Sequence, residues 1–161
     1  MTTIVASTAL GGMAADTRVA TSGSYYPARK LFRIGESIFG TAGHGDMCLA
    51  FIHWVQTPKR DPIKLHELIG KEYEREDISI IELNPSGIFM WSGWGFPEEV
   101  LRESHAIGTG GMAALEAIRC GKTLEDSVTA AMGHDEYTGC DIQVEYLLPP
   151  ELLPKRKRRG K

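Results

Sequence analysis

Met1 is followed by Thr2, a residue small enough to permit removal of the initiator methionine. That removal is expected to leave a free α-amine and a hydroxyl on one residue. A threonine hydroxyl is a poor nucleophile until a base takes its proton, and the neighbouring amine can be that base. The ordinary pKa of a terminal amine, about 7.7–8.0, leaves a useful neutral fraction near neutral pH. A lysine ammonium beside it lowers the value further and favours the free base. The chemistry such a pair offers is attack on an acyl carbon. Met-Thr is also a common chain start, so the pair carries weight only with further residues in support.

Other chemistry is poorly served. There is no G-x-S-x-G nucleophile elbow, P-loop, H-E-x-x-H or C-x-x-C motif, and the expectation is a protein without a cofactor. His44 with Asp46, and His134 with Asp135, each supply half a metal site, short of the three or four ligands a metal needs. Cys48, Cys120 and Cys140 are an odd number without metal-type spacing. They suggest reduced thiols and a cytoplasmic setting.

The elements that must position Thr2 follow from periodicity and turn residues. Residues 2–9 are β-branched and small and read as a strand. A turn at Leu10-Gly11-Gly12 leads into a second strand, MAADTRVAT, and SGSYYP reads as a loop. Residues 29–34 alternate as a strand, Gly35-Glu36-Ser37 turns, and 38–43 returns. Met47, Phe51, Trp54 and Val55, with Cys48 and Ile52, recur at spacings of three and four and predict an amphipathic helix. Pro58 and Pro62 end it, and residues 63–74 give a shorter second helix. Residues 78–83 and 88–93, joined by Asn84-Pro85-Ser86-Gly87, read as a hairpin. After a loop at 94–97, residues 105–111 form a short strand opening into a helix over 112–120. Thr123 to Asp126 makes a capping box for a helix to about Met132, and 141–148 is a final strand. Two helix pairs covering two stacked sheets give an α+β layered sandwich. Trp91 and Trp94 read first as core or subunit-packing residues and second as the lining of a substrate entrance.

The 161 residues suit one domain. With 42% hydrophobic and 24% charged residues, disordered, collagen-like and coiled-coil classes drop out. No apolar run approaches the roughly 20 residues of a membrane helix, and the first residues lack the features of a signal peptide. The net charge of −3 hides an asymmetry. Six of the 18 basic residues lie in the last eight positions, leaving twelve against 21 acidic residues, or −9, in the rest. An acidic body with a basic end is not an ordinary nucleic-acid-binding domain. Contact with nucleic acid or an acidic partner is confined to the tail, whose simpler reading is a solvated terminus.

Five segments in order, MTTIVAS at the start, AADT at 14–17, ARKLFRI at 28–34, AIGTGG at 106–111 and DEYTG at 135–139, carry a resemblance across nearly the whole chain. Together they resemble the proteasome β-subunit family of N-terminal nucleophile hydrolases, and most of all its HslV-like members, which start without a propeptide. The resemblance implies a four-layer αββα sandwich over residues 1–150 with a basic tail at 151–161. It implies a threonine-type peptidase with Thr2 as nucleophile. Asp16 matches the acidic residue that pairs with the catalytic lysine, and Lys30 matches that lysine, with Arg29 the neighbour one position away. Gly40 falls where the family supplies its oxyanion-hole amide, with Gly43 a competing alignment. Thr109 stands where the family usually has serine. Asp135 and Thr138 match a D-x-x-S-G pattern, again with threonine for serine. The implied partners are a polypeptide substrate, copies of the same chain in a closed ring, and an ATP-driven unfoldase.

Departures from the pattern keep other readings open. The interval from Thr2 to Asp16 is slightly short, both auxiliary serines are threonines, the segment between 44 and 77 is abbreviated, and the basic tail is not a family feature. A small-molecule amidase on the same fold is one alternative. A catalytically inactive shell or adaptor subunit is the other. Taken alone, Asp16 and Lys30 are also consistent with a surface ion pair, and Gly108, Gly110 and Gly111 with a turn that needs positive φ.

Overall fold

The structure is a computed structural model that describes residues 2–69, 78–91, 95–149 and 152. In chain order the first elements are β1 (Ile4–Ser7), β2 (Gly12–Asp16), β3 (Arg18–Thr21), β4 (Ser24–Pro27), β5 (Leu31–Ile34) and β6 (Ser37–Gly43). Two helices follow, α1 (Gly45–Val55) and α2 (Pro62–Ile69), then β7 (Ile78–Asn84), β8 (Gly87–Trp91), β9 (Pro97–Val100) and β10 (Ser104–Ile107). The chain closes with α3 (Gly111–Arg119), α4 (Leu124–Met132) and β11 (Ile142–Tyr146).

The strands form two sheets and a separate hairpin. One sheet has the order β10-β1-β2-β11, the other β5-β6-β7-β8-β9, and β3 pairs with β4 alone. Every pairing is antiparallel. The two sheets stack, and period-2 alternation sends apolar side chains to both faces of each. On β1, Ile4 and Ala6 face the other sheet, clustering with Met13 of β2 and with Leu31, Ile38 and Ile81 of that sheet. Val5, between them, faces the opposite way, against Ala114, Ile118, Val128 and Ala131 of α3 and α4. On the second sheet Phe39 and Ile80 turn outward to Phe51, Trp54 and Leu65 of α1 and α2. Three apolar layers separate four structural layers, so the architecture is the expected α+β αββα sandwich.

Local signals account for most boundaries. The α4 cap forms as expected, the Thr123 hydroxyl accepting from the Asp126 N–H at 3.1 Å. Trp91 is buried and packs its ring 5.6 Å from Phe51 and 6.0 Å from Trp54, centroid to centroid, in keeping with its core reading. Of the second helix expected over 63–74, Pro62–Ile69 is seen. Residues 70–77, Trp94, the whole basic tail except Leu152, and Met1 lie outside the described residues.

Three expectations need correction. SGSYYP is not a loop: Ser24–Pro27 is a strand, turned back on β3 at Gly23 with φ 105°. All four of its residues are exposed, so no burial imprinted an apolar period on the sequence. Thr17 also splits the long second strand, leaving the ladder to donate its N–H to Asp141 O at 2.9 Å. Residues 97–100, with no strand expected, form the edge strand β9. Its leading proline and two glutamates suit an edge, where unpaired backbone must be kept from other strands. No helix among the described residues is long and apolar enough to cross a membrane.

Candidate active site

Thr2 and Thr3 immediately precede β1, in the middle of a sheet and buried. Asp16 ends β2, so the β1–β2 hairpin brings it back beside them. The Asp16 N–H donates to Thr3 O at 3.1 Å, and the Thr3 N–H donates to Asp16 Oδ1 at 2.8 Å. Lys30 arrives from the other sheet, directly before β5. Its Nζ lies 2.9 Å from the same Oδ1, and both side chains are essentially sealed from water. The N–H groups of Arg18 and Gly139 reach Asp16 Oδ2 at 3.2 and 3.1 Å. Four donors therefore converge on one buried carboxylate, which satisfies it and its lysine together. The surface-ion-pair reading of Asp16 and Lys30 does not hold. Burial pulls the Lys30 pKa below its ordinary value, against the opposing pull of Asp16. Arg29, the alternative lysine equivalent, instead directs its guanidinium to Leu31 O at 2.8 Å.

A second cluster approaches from the C-terminal half. Asp135 Oδ2 accepts from the hydroxyls of Thr109 and Thr138, each at 2.6 Å. The Thr138 oxygen also lies 2.6 Å from the Thr3 oxygen. Each hydroxyl has a single proton, and that of Thr138 points to Asp135, so Thr3 is the donor to Thr138. Burial raises the Asp135 pKa, but the hydrogen bonds from Thr109, Thr138 and the Tyr137 N–H outweigh it and hold the value below the ordinary range. The extra methyls of the two threonines fit, since both keep their hydroxyls on the carboxylate.

The glycines after β10 let this happen. Gly108 has φ +86°, and a Cβ there would stand 1.9 Å from Thr2 O. At Gly110 a Cβ would stand 2.0 Å from Thr3 Oγ1. The positive-φ turn reading holds at Gly108 alone, since Gly110 has φ −85° and Gly111 opens α3; at Gly108 and Gly110 the missing side chains make room for Thr2 and Thr3.

The two oxyanion-hole candidates have different surroundings. Gly40 sits inside β6, opposite Leu31 on β5 and Ile81 on β7. A Cβ there would meet Met13, Ile4 and Ile81 between the sheets. Thr41 N–H donates to Lys30 O at 3.1 Å, so by alternation Gly40 directs its N–H the other way, into the ladder with β7. Gly43 is two residues beyond Thr41 and shares its direction. It is exposed, has φ 116°, and lies past the end of the β5 pairing.

The structure thus gathers Asp16, Lys30, Thr109, Asp135 and Thr138 around the Thr2-Thr3 segment. Sequence reasoning missed Thr3, whose backbone serves one cluster and whose hydroxyl serves the other. It also missed Gly139, a donor to Asp16, and Gln143, whose amide oxygen accepts from Lys30 N–H at 2.7 Å. Among the described residues no three His, Cys, Asp or Glu side chains gather as a metal site.

Known structures share this fold. Thiobacillus denitrificans BPH in complex with epoxomicin matches with a TM-score of 0.70 at 20% identity, covering 91% of this chain and 100% of that one. A second structure of T. denitrificans BPH gives 0.67 at 21% identity, over 92% and 98%. Eukaryotic HslV from Trypanosoma brucei gives 0.65 at 20% identity, over 89% and 97%. No family model matches the sequence, and no curated protein does. The fold is that of HslV and its proteasome-like relatives.

Proposed function

We propose that this chain is a threonine-type peptidase whose nucleophile is the Thr2 hydroxyl, uncovered by removal of Met1. One observation carries the reading. The residue following Thr2 is held by its N–H on the Asp16–Lys30 pair and by its hydroxyl on the Thr138–Asp135 pair. Three charged groups, the Asp16 and Asp135 carboxylates and the Lys30 ammonium, are thereby fixed around Thr2 and Thr3, an arrangement costly to build for stability alone.

The proposed reaction uses these parts in order. The Thr2 amine takes the hydroxyl proton as Thr2 Oγ1 bonds to the substrate carbonyl carbon. The Lys30 ammonium, held by Asp16, keeps the amine deprotonated beforehand. A backbone N–H stabilises the oxyanion, and Gly43 suits that role better than Gly40 because its N–H faces the open edge beside Lys30. The C–N bond then breaks, the leaving amine takes the proton from the Thr2 ammonium, and an ester remains on Thr2. Water gives a proton to the Thr2 amine as its oxygen attacks that ester; the bond from the carbonyl carbon to Thr2 Oγ1 then breaks, Oγ1 takes the proton back, and the acid is freed. Asp135, Thr109 and Thr138 orient the amine and the water.

The proposed partners are a polypeptide substrate, further copies of this chain in a closed ring within the cytoplasm, and an ATP-driven unfoldase. Light scattering after size exclusion tests this, and a monomer alone would count against the ring.

Intact-mass spectrometry before and after epoxomicin tests the reaction. The expected result is loss of Met1 and a single adduct mapping to Thr2, absent in Thr2→Ala. Met1 retained without an adduct would reject the peptidase and favour the shell or adaptor reading. Turnover of a short acyl-amide but of no peptide would instead select the amidase.

A further inference from the structure

The Lys30–Asp16 pair spans the two sheets. Asp16 belongs to the sheet containing β1 and β2, and Lys30 precedes the edge strand of the other. The 2.9 Å between them thus depends on how closely β5 is drawn to the first sheet. Apolar packing between sheets is non-directional and does not set such a distance finely.

Gln143 does. It lies in the middle of β11, opposite Ala15 and one pair from Asp16. Its side-chain oxygen accepts from the Lys30 N–H at 2.7 Å and from the Leu31 N–H at 3.4 Å. Two backbone donors aimed at one atom identify that atom as the amide oxygen. The Lys30 carbonyl accepts from Thr41 N–H at 3.1 Å, so the residue's backbone is clamped on both sides. Farther along the same two strands, Arg33 reaches Glu145 and the Tyr146 carbonyl, but there the side chains are exposed. Exposed charge pairs contribute little.

We propose that Gln143 is a positioning residue for the reaction: by accepting from the Lys30 and Leu31 backbone, its amide oxygen holds the lysine against Asp16 across the sandwich. This rests on the peptidase reading of the site. The groups around the Lys30 ammonium are Asp16 from β2, Cys48 from α1 and Cys140 from the segment before β11. Only Asp16 forms an ion pair with it among the described residues. If Lys30 draws back from Asp16, burial continues to disfavour its charge while the opposing carboxylate weakens. The ammonium then loses its proton at lower pH, and the Thr2 amine loses the field that keeps it neutral.

The test compares Gln143→Met, which keeps the length without the acceptor, with Gln143→Glu, which keeps the acceptor. Peptidase pH profiles are measured together with the Lys30 titration, followed through its 13Cε signal in labelled protein. For Gln143→Met, kcat is expected to fall about tenfold to a hundredfold with KM little changed. The alkaline limb of the profile and the Lys30 pKa are both expected to move down. Gln143→Glu should retain most of the rate, with the Lys30 pKa held or raised by the added carboxylate. An unchanged or raised Lys30 pKa in Gln143→Met would overturn the proposal, as would equal losses in both variants. A wild-type protein with neither peptidase activity nor an epoxomicin adduct would reject the peptidase reading instead. The Lys30 titration would still judge the role of Gln143.

Discussion

The Thr3 hydroxyl donates to the Thr138 hydroxyl at 2.6 Å, joining residues that stand 135 positions apart. Thr138 passes its own proton to Asp135, so the N-terminal segment is moored to a carboxylate near the other end of the fold. Replacing Thr138 by Val keeps the shape and removes the link. The expected cost is about 1 kcal/mol at neutral pH. The folded-state pKa of Asp135 is depressed, so its contribution is full above the ordinary carboxylate pKa of about 3.9. That contribution is lost as pH falls through the lower folded value. Urea unfolding of both proteins across this range should show the difference shrinking only in acid. A gap independent of pH would refute the assignment.

Asp16→Asn leaves the Lys30 ammonium buried without its counter-ion. Removing one partner of a buried pair costs about 3–5 kcal/mol. Because burial lowers the Lys30 pKa, the lysine in this variant sheds its proton more readily than in the wild type. The penalty should therefore be largest at neutral pH and decline as pH rises and the lysine becomes neutral. Unfolding curves at neutral and alkaline pH would decide; a penalty that grows with pH would contradict the buried ion pair.

Gly108→Ala introduces a methyl 1.9 Å from Thr2 O at a φ of +86°. Backbone, not a flexible side chain, must yield. The expected outcome is loss of the epoxomicin adduct together with a drop of a few kcal/mol in stability. Gly121→Ala is the control: it shares the positive φ, at +90°, but has open space around its α-carbon. It should keep the adduct.

Thr123→Ala removes the side chain that caps α4. A loss of about 1 kcal/mol is expected, with labelling of Thr2 unaffected because Leu124, beside the cap, packs at Gly12, the opposite end of β2 from Asp16. Thermal unfolding and intact mass check the two halves of this expectation.

The layered fold was legible because its strands are buried on both faces. Ile4-Val5-Ala6 and Ile80-Ile81 appear as unbroken apolar runs, adjacent residues committed to different layers. Where side chains stay in water the signal vanishes, as in the exposed residues of Ser24–Pro27 and Pro97–Val100. The site was legible through types and order: Thr2, Asp16, Lys30, Thr109, Asp135 and Thr138 all lie in the segments that carry the resemblance. Thr3 was not, since two identical neighbours cannot be told apart until the strand assigns one a backbone bond to Asp16. Gln143 left a fainter trace, one of two polar residues, with Glu145, that alternate with apolar ones along β11. Gly40 and Gly43 differ by three positions on one strand, and only hydrogen-bond direction separates them.

The pairing of Lys30 with Asp16 across the two sheets, and of Thr3 with Thr138, has a consequence for folding. The hairpin that seats the threonines is local. Their partners are not: Lys30 must dock from the opposite sheet, and Thr138 lies 135 positions beyond Thr3. Such non-local contacts form late. On the peptidase reading, a half-folded chain carries its nucleophile unarmed until Lys30 and residues 135–143 have docked.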